Sequence, residues 1–339
     1  MPEPAVTLKD VARQARVHPA TASRALNPET RLLVSEATAS RVLAAAAQLG
    51  YRPNAVARSL RTRRSHTVGV LIPDLNNPLF PPIVRGLEDR LDENGYVALP
   101  GNTDGDDARE RRMFEQMRAR HVDGYVLATA RLRNPLLDDA VQAGLPVVLM
   151  NRIAPDYTFP SVTVDNERGV KLAVSHLTSL GHRAIACIAG PQDVSTGLSR
   201  YRGFQTAMAG ARLEVPPGRV AFAEAFSIEE GYRCAREILA AGGCTAVAAG
   251  NDMLAVGCYL ALDEAGLNCP ADMSVVGFND MPFISMLRPP LTTIAFSHYQ
   301  VGTEAAQLLI ERLNGGSGPV KVLYLAPELI VRGSTARLS

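Results

Sequence analysis

Several features that mark membrane proteins, secreted proteins and metalloproteins are scarce in this sequence. It contains no Trp, and its five cysteines, Cys187, Cys234, Cys244, Cys258 and Cys269, are scattered and free of any C-x-x-C pair. Such cysteines are typical of small core residues in a reducing compartment, so neither disulfides nor a metal site is predicted. No uninterrupted run of about 18 apolar residues occurs and no apolar signal segment opens the chain, so we expect a cytoplasmic protein without a membrane partner.

The net charge is small as well, but it is distributed unevenly. Eleven Lys and Arg lie within residues 1–66 beside only four acids, a local charge of +7, whereas the rest of the chain carries −6. A basic head on a mildly acidic body predicts a polyanionic partner for the head alone. A length of 339 residues with 47% hydrophobic and 20% charged composition predicts two or three globular domains.

Residues 7–27 have the pattern of two short helices joined by a tight turn. Thr7 and Asp10 have the spacing of a helix-capping pair, and apolar residues recur on one face of the first helix. His18-Pro19 predicts the start of the second, because proline at the first helical position loses only an N–H that has no partner. Small, hydroxylated and basic side chains then face outward at Pro19, Ala20, Thr21, Ser23, Arg24 and Asn27. An ordinary helical hairpin has the same apolar spacing, but the outward row suits a DNA major groove and predicts a helix-turn-helix.

A third helix completes the predicted head. It is expected from about Ser35 to Leu49, with Ser35 as its cap and Gly50 at its end. The apolar stripe of this helix consists of Val42, Leu43, Ala46 and Leu49. Residues 1–53 are therefore predicted to form an all-α DNA-binding head.

Residues 54–66 are predicted to form a hinge helix and linker. Asn54 can cap a helix of about eight residues, which is too short to be stable alone. Its Arg58 and Arg61 can meet phosphates, and Leu60 can wedge between base pairs in a widened minor groove. A plain linker between two domains fits the same residues equally well.

Beyond Arg64, short apolar runs alternate with amphipathic helices. The runs lie at 68–72, 97–99, 124–129, 147–150, 184–189, 246–249 and 274–278. Near-continuous apolar strands separated by helices predict parallel sheets covered on both faces. The number of strands is too large for one compact sheet, which predicts a two-lobed α/β core over 67–339. The N-lobe is expected at about 67–165 and 294–326, and the C-lobe at about 166–293 and 327–339.

Polar residues follow five of these strands. They are Pro73-Asp74, Asn151-Arg152, Gly190-Pro191, Gly250-Asn251-Asp252 and Asn279-Asp280. Ligands of parallel α/β folds bind beyond the carboxyl ends of the strands. The sequence thus predicts one polar cleft for a small molecule between the lobes.

With these motifs, the sequence resembles the lactose/galactose repressor family of bacterial transcription regulators over nearly its full length. The segments that carry the resemblance are 7–12, 21–24, 49–60, 68–70 with Pro73-Asp74, 180–182, Arg200 with Gly203-Phe204, Asn251-Asp252, 290–294 and 331–335. The resemblance implies a helix-turn-helix head and a core similar to periplasmic sugar-binding proteins with Rossmann-like lobes. It also implies a homodimer on pseudo-palindromic, double-stranded operator DNA.

The same resemblance implies contacts for individual residues of the head and hinge. It puts Ala20 and Arg24 on bases and Thr21, Ser23 and Asn27 on phosphates. In the hinge it puts Ala57, Leu60 and Arg61 in the minor groove. The complete predicted DNA-binding set is Thr7, His18, Pro19, Ala20, Thr21, Ser23, Arg24, Asn27, Asn54, Ala57, Arg58, Leu60 and Arg61.

Around the effector, the resemblance implies Asp74, Phe80, Asn151, Arg200, Phe226, Asn251 and Asn279. Arginine and amide groups give sugar hydroxyls planar, bidentate partners, and an aromatic ring can cover the apolar face of a sugar. Structural roles remain open for three of them, since Asp74 can cap a turn, Arg200 can join an ion pair and Phe226 can belong to the core. No cofactor and no metal is expected.

Four positions depart from the family's pattern. Arg16 occupies a turn where relatives usually have glycine, which costs about 1 kcal/mol if the turn needs a positive φ. His18 and Pro19 replace the usual serine cap and its polar neighbour, which leaves the operator sequence open. Asn279 stands where many sugar-binding relatives have aspartate, which weakens the case for a plain neutral sugar.

The function predicted from all of this is a sequence-specific transcriptional regulator, a repressor, controlled by a sugar or sugar derivative bound in the cleft. A nucleobase or another non-sugar metabolite is the alternative effector. The core alone would also suit a periplasmic-type transport component. Such a protein needs an export signal and has no basic head, and this sequence shows the reverse. An enzyme is not expected, because the sequence has no G-x-S-x-G, G-x-x-x-x-G-K-[ST] or H-E-x-x-H motif. We expect the protein to associate with the nucleoid when it is bound to DNA.

Overall fold

The structure, a computed structural model, describes residues 6–27, 30–51, 64–316 and 318–338. The chain divides into two compact units, Met1–Ser65 and His66–Ser339. His66 belongs to the second unit, where its backbone N–H donates to Asp123 Oδ2 at 2.9 Å, so the expected linker of 54–66 was drawn one residue too long. In the described ranges, no helix is long and apolar enough to cross a membrane.

The first unit contains the predicted helix-turn-helix. Its helices are α1 (Leu8–Gln14), α2 (Pro19–Leu26) and α3 (Glu36–Gln48), with a 3₁₀ turn at Arg31–Leu33. The N–H of Thr7 donates to Asp10 Oδ2 at 3.0 Å, which confirms the capping pair. Arg16 has φ 52°, so the turn between α1 and α2 does need the left-handed conformation that glycine adopts most easily.

Small apolar side chains form the core of this head. Val11, Ala12, Ala22, Ala25, Ala39, Val42, Ala45 and Ala46 are all buried. Leu43 was wrongly placed in the apolar stripe of α3, because it is 37% exposed. The buried face of α3 runs through positions 39, 42, 45 and 46, and a helix turns by about 100° per residue, so the residue after Val42 points away from it.

The second unit contains two six-stranded sheets. The strands of the first sheet are β1 (Thr67–Ile72), β2 (Val97–Asn102), β3 (Gly124–Leu127), β4 (Val147–Met150), β5 (Ser161–Val164) and β11 (Val322–Leu325). They lie in the order β11-β5-β4-β3-β1-β2, and their pairs are parallel. The helices of this N-lobe are α4 (Phe80–Asp92), α5 (Asp107–Ala119), α6 (Pro135–Gln142) and α11 (His298–Leu313).

The second sheet belongs to the C-lobe. Its strands are β6 (Ile185–Ala189), β7 (Val220–Phe222), β8 (Ala246–Ala249), β9 (Ser274–Asn279), β10 (Thr292–Ala295) and β12 (Glu328–Ile330). Their order is β12-β10-β9-β8-β6-β7, and β12 is antiparallel to β10. The helices of the C-lobe are α7 (Asn166–Ser179), α8 (Ser195–Gly210), α9 (Ile228–Ala241) and α10 (Asp252–Glu264). The predicted parallel, two-lobed α/β architecture is confirmed.

The chain passes between the lobes after β5, after β10 and after β11. Ile294 and Ala295 pair with Phe278 and Asn279 in the C-lobe sheet, so placing the return to the N-lobe at 294 was wrong. The N-lobe resumes only after Ala295. The apolar run continues through Phe296, so the sequence does not mark the end of the strand. In the N-lobe, α11 then packs closely on α4 through Gly302, where an added Cβ would lie 1.9 Å from the backbone oxygen of Ile83.

Candidate DNA-binding helix and effector cleft

Helix α2 turns its polar side outward, as predicted. Ala20 and Arg24 are exposed and Pro19, Thr21, Ser23 and Asn27 are half-buried, whereas Ala22 and Ala25 are buried. Small residues beside an exposed guanidinium let a helix approach a groove closely while the arginine reaches base edges. The hinge candidates Asn54, Ala57, Arg58, Leu60 and Arg61 lie outside the described residues.

Both ends of α2 are fixed by local hydrogen bonds. His18 is exposed, and its Nδ1 accepts from the N–H of Ala20 at 3.2 Å, so this side chain replaces the usual serine cap. Thr7, which precedes α1, is also exposed, and its hydroxyl donates a hydrogen bond to Asp10. At the other end, Arg31 Nε donates to the backbone oxygen of Ala25 at 3.1 Å and satisfies a carbonyl of the last turn. The helix is thereby held rigidly within its own unit.

The core contains a cleft of about 460 Å³, a volume suited to a small molecule. All seven predicted effector residues line it: Asp74, Phe80, Asn151, Arg200, Phe226, Asn251 and Asn279. Residues from both lobes contribute, since the carboxyl ends of β1 and β4 meet those of β6, β8 and β9 there. Further polar lining residues, which the sequence analysis did not select, are Asn77, Asp104, Arg131, Arg152, Asp193, Thr196, Glu224 and Ser227.

The asparagines at the strand ends are held in defined orientations. Asn251 precedes α10, and its Oδ1 caps that helix by accepting from the N–H of Leu254 at 2.9 Å. Asn279 ends β9 with φ 117°, and its backbone oxygen accepts from His298 Nε2 at 2.7 Å. Asp74 does cap a turn, because its Oδ1 accepts from the N–H of Asn76 at 2.8 Å, although it lines the cleft as well.

Arg200 is 4% exposed and lies at the base of the cleft. Its guanidinium donates to Asn166 Oδ1 at 2.8 Å, to the backbone oxygen of Gly250 at 2.7 Å and to Asn279 Oδ1 at 3.1 Å. Its Cζ also lies 3.7 Å from the ring centroid of Phe278. Burial lowers the pKa of Arg200 to about 9.

Arg152 and Asn151 extend from the end of β4. Arg152 Nη1 donates to the backbone oxygen of Thr129 at a long 3.4 Å, while its Nε is buried and has no hydrogen-bond partner among the described residues. Burial, reinforced by nearby Arg131, lowers the pKa of Arg152 to about 10. Asn151 has φ 66°, and its buried Oδ1 also lacks a partner. Buried polar atoms are rarely left unbonded, so this wall has unused hydrogen-bonding capacity.

Direct bonds connect the two lobes beside the cleft. Arg131, which follows β3, forms an ion pair with Asp193, which follows β6. The N–H of Leu132 donates to the backbone oxygen of Asp193 at 2.9 Å, and the N–H of Ile153 donates to Ser195 Oγ at 2.8 Å. The lobes therefore contact each other on the side where the polar strand ends meet.

Two of the acids at predicted strand ends do not face the cleft. Asp252 is fully buried and accepts from the hydroxyl of Thr293 at 2.6 Å and from the N–H of Met281 at 2.8 Å. Burial raises its pKa to about 7. Asp280 forms an ion pair with Arg332 at 2.7 Å. Both acids thus hold the loop after β9 in place.

The two aromatic candidates differ in burial. Phe80 is only 2% exposed and belongs to a core cluster that spans both lobes as well as to the cleft. Phe226 is half-buried and packs against Gly190, where an added Cβ would lie 2.3 Å from its ring. Phe226 therefore offers the larger free ring face to a ligand.

The chain is similar to known proteins over nearly its whole length. A family described as bacterial regulatory proteins, lacI family, matches residues 7–54, and one described as a periplasmic binding protein-like domain matches residues 174–335. The transcriptional repressor CytR of Escherichia coli (strain K12) is 35% identical over 99% of this chain and 98% of its own length. This chain belongs to the lacI family of bacterial regulatory proteins. The ribose operon repressor of the same strain is 36% identical over 97% of this regulator and 99% of its own length.

A solved structure extends this similarity. The lac repressor dimer bound to operator and the anti-inducer ONPF matches 98% of this regulator and 100% of its own chain, with 27% identity and a TM-score of 0.86. The chain is accordingly a DNA-binding transcriptional regulator with a helix-turn-helix head and an effector-binding core. Within the described parts of the chain, no group of three or more His, Cys, Asp or Glu side chains could hold a metal ion.

Proposed function

We propose that this regulator represses transcription as a homodimer on pseudo-palindromic operator DNA, and that a sugar or sugar derivative in the core cleft controls it. The observation that carries the proposal is the joint presence of an outward, basic α2 in the head and a polar cleft in the core. Support for the dimer comes from the dimeric lac repressor. The name of the ribose operon repressor supports a sugar-related role.

We place DNA contacts in the head at residues 1–53. Arg24 and Ala20 would read bases in the major groove, while Thr21, Ser23 and Asn27 would bind phosphates. Thr7, His18 and Pro19 would contact the DNA backbone beside these phosphates. Asn54, Ala57, Arg58, Leu60 and Arg61, in the linker of 54–65, complete the proposed interface.

The effector would connect the two walls of the cleft. Asp74, Phe80 and Asn151 belong to the N-lobe side, and Arg200, Phe226, Asn251 and Asn279 to the C-lobe side. A ligand that contacts both sides changes the relative stability of open and closed cores. By linkage, it alters DNA affinity only to the extent that its own affinity differs between those states.

The DNA-binding part is tested by selecting a preferred duplex from a random pool and comparing it with a scrambled duplex. We expect Arg24→Ala to reduce affinity for the selected duplex by about 10-fold or more, because a bidentate arginine–guanine contact contributes about 1–3 kcal/mol of discrimination. Arg41→Ala removes the same charge from an exposed site on α3 and is the matched control. Equal losses on selected and scrambled duplexes in Arg24→Ala would contradict a base-reading role.

A further inference from the structure

The effector cleft contains two arginines at different depths, since Arg200 is buried and Arg152 is half-buried. Arg200, at the base of the C-lobe wall, bonds only to neutral oxygens, and Arg152, on the N-lobe wall, makes a single long bond to a carbonyl. Neither guanidinium forms an ion pair with any residue that the structure describes. Taking a charge out of water is costly unless an opposite charge accompanies it. Burial lowers the pKa of both arginines, although Asp252 acts on Arg200, and Asp193 and Glu110 act on Arg152, in the opposite direction.

The acids of the cleft do not supply the missing charge. Asp193 is paired with Arg131, and Asp104 is paired with Arg109. Glu224 is exposed, so water solvates it. Asp74 is half-buried and occupied in its turn. Two buried acids near these arginines, Asp252 and Glu110, lie outside the cleft lining, and burial raises the pKa of each, which disfavours their charged forms.

The hydrogen bonds at the base of the cleft also favour an acceptor group on the ligand. Asn251 Oδ1 accepts from the N–H of Leu254, and Asn279 Oδ1 accepts from Arg200. Both partners can only donate, so these amide orientations are unambiguous. The amide nitrogens remain for a ligand, and the base of the cleft therefore consists of donors. An aspartate at position 279 would instead have accepted from a sugar hydroxyl.

The opposite wall carries an acceptor. Asn151 Oδ1 is buried and has no hydrogen bond to any residue that the structure describes, which calls for a ligand hydroxyl or N–H. The cleft thus requires an acceptor group with negative charge at one point and a hydroxyl or N–H donor at another. A polyhydroxylated carbon chain bearing a carboxylate or a phosphate has both.

We propose that the natural effector is an anionic sugar derivative, a sugar acid or a sugar phosphate, whose anionic group lies among Arg152, Arg200 and the amide nitrogens of Asn251 and Asn279. This proposal rests on the cleft being the effector site. It narrows the effector class from sugars in general to those with a negatively charged, acceptor-only group. Charge-assisted bonds to such a group are stronger than those to a neutral hydroxyl.

Matched ligand pairs test the proposal on the full-length protein. Thermal unfolding and calorimetric titration compare glucose with glucuronate and glucose 6-phosphate, galactose with galacturonate, and ribose with ribose 5-phosphate. Inorganic phosphate alone is a further probe. We expect at least one anionic member to bind about 10-fold or more tightly than its neutral parent, with an affinity that falls as salt rises. Whether the uronate or the phosphate arm responds identifies the group.

Two charge-matched variants locate the effect. Arg152→Gln should reduce the preference for the anion over the neutral parent about 10-fold, because it removes a charge from the cleft. Arg183→Gln removes the same charge from an exposed site before β6 and should leave the preference unchanged. Neutral sugars that bind as tightly as their anionic counterparts, a panel in which no anion binds, or an unchanged preference in Arg152→Gln would each overturn the proposal.

DNA binding measured on the same samples separates this proposal from the proposed function. A neutral sugar that binds the cleft and changes duplex affinity overturns the anionic effector and leaves the regulator intact. An anion that binds the cleft, with preference lost in Arg152→Gln, but does not change duplex affinity supports the anionic site and contradicts effector control.

Discussion

Replacement of the buried Asp252 by asparagine should remove a pH dependence from the stability of the core. The carboxyl group of Asp252 is fully buried between the hydroxyl of Thr293 and the N–H of Met281. Its surroundings also contain Asp280, which raises its pKa further, and Arg200, which lowers it by a smaller amount. Asparagine has the same shape and can accept from Met281 while donating to Thr293, so the loop after β9 should keep its position.

The size of the effect follows from the shifted pKa. Burial raises the pKa of Asp252 from 3.8 to about 7, so between these values the folded protein retains a proton that the unfolded chain releases. The free energy of unfolding therefore falls as pH rises from about 4 to about 7, and this contribution levels off above about pH 7. One pKa unit corresponds to about 1.4 kcal/mol, which gives about 4 kcal/mol over the window as an order of magnitude.

Urea unfolding followed by circular dichroism between pH 4.5 and pH 8 measures this contribution. Asp252→Asn should approach the wild type in stability at the acid end and exceed it increasingly toward neutral pH. His298, which burial also perturbs, titrates in both proteins, so the difference curve isolates Asp252. Thr293→Val should extend the falling part of the curve to higher pH, since that hydroxyl stabilises the carboxylate. Parallel curves for wild type and Asp252→Asn would refute the reasoning.

Two further predictions concern packing and association. Gly302→Ala should lower the free energy of unfolding by about 1–3 kcal/mol in urea titrations, because its Cβ would clash with the backbone of α4, whereas Gly210→Ala, with open space at its Cβ, should have little effect. Equal midpoints for the two variants would contradict this. Phe283 is 71% exposed, a large apolar surface that a second copy of the chain could cover. Phe283→Asp should shift the sedimentation profile toward monomer while Val141→Asp, an exposed apolar control, does not; identical profiles would count against this surface in the proposed homodimer.

The elements that the sequence predicted well are those with a local signal. The strands carry continuous apolar runs followed by polar residues, so the two sheets and a polar cleft at the strand ends could be predicted from the pattern. The set of seven effector candidates came from the family resemblance, and their contacts with an effector remain a prediction. The errors at Leu43 and Ile294 arose where apolar residues continue past the buried face or past the strand end. In both places burial depends on distant neighbours, which periodicity does not encode.

The charges of the cleft were the part that sequence alone did not give. Arg131 follows β3, so the rule that ligands bind beyond strand ends could have selected it. Arg152 also lies at a predicted strand end, but of the two residues there only Asn151 was predicted to bind the effector. Nothing local shows that Asp193 neutralises Arg131 while Arg152 remains unpaired, since those contacts join residues far apart in the chain.

Salt dependence of duplex affinity tests the central claim most directly. The claim is that the basic head of this regulator binds DNA by neutralising phosphates. Anisotropy titrations of the full-length protein on a labelled nonspecific duplex, at a series of salt concentrations, should give a logarithm of the association constant that falls linearly with the logarithm of salt. An affinity that stays flat across the series would contradict the account.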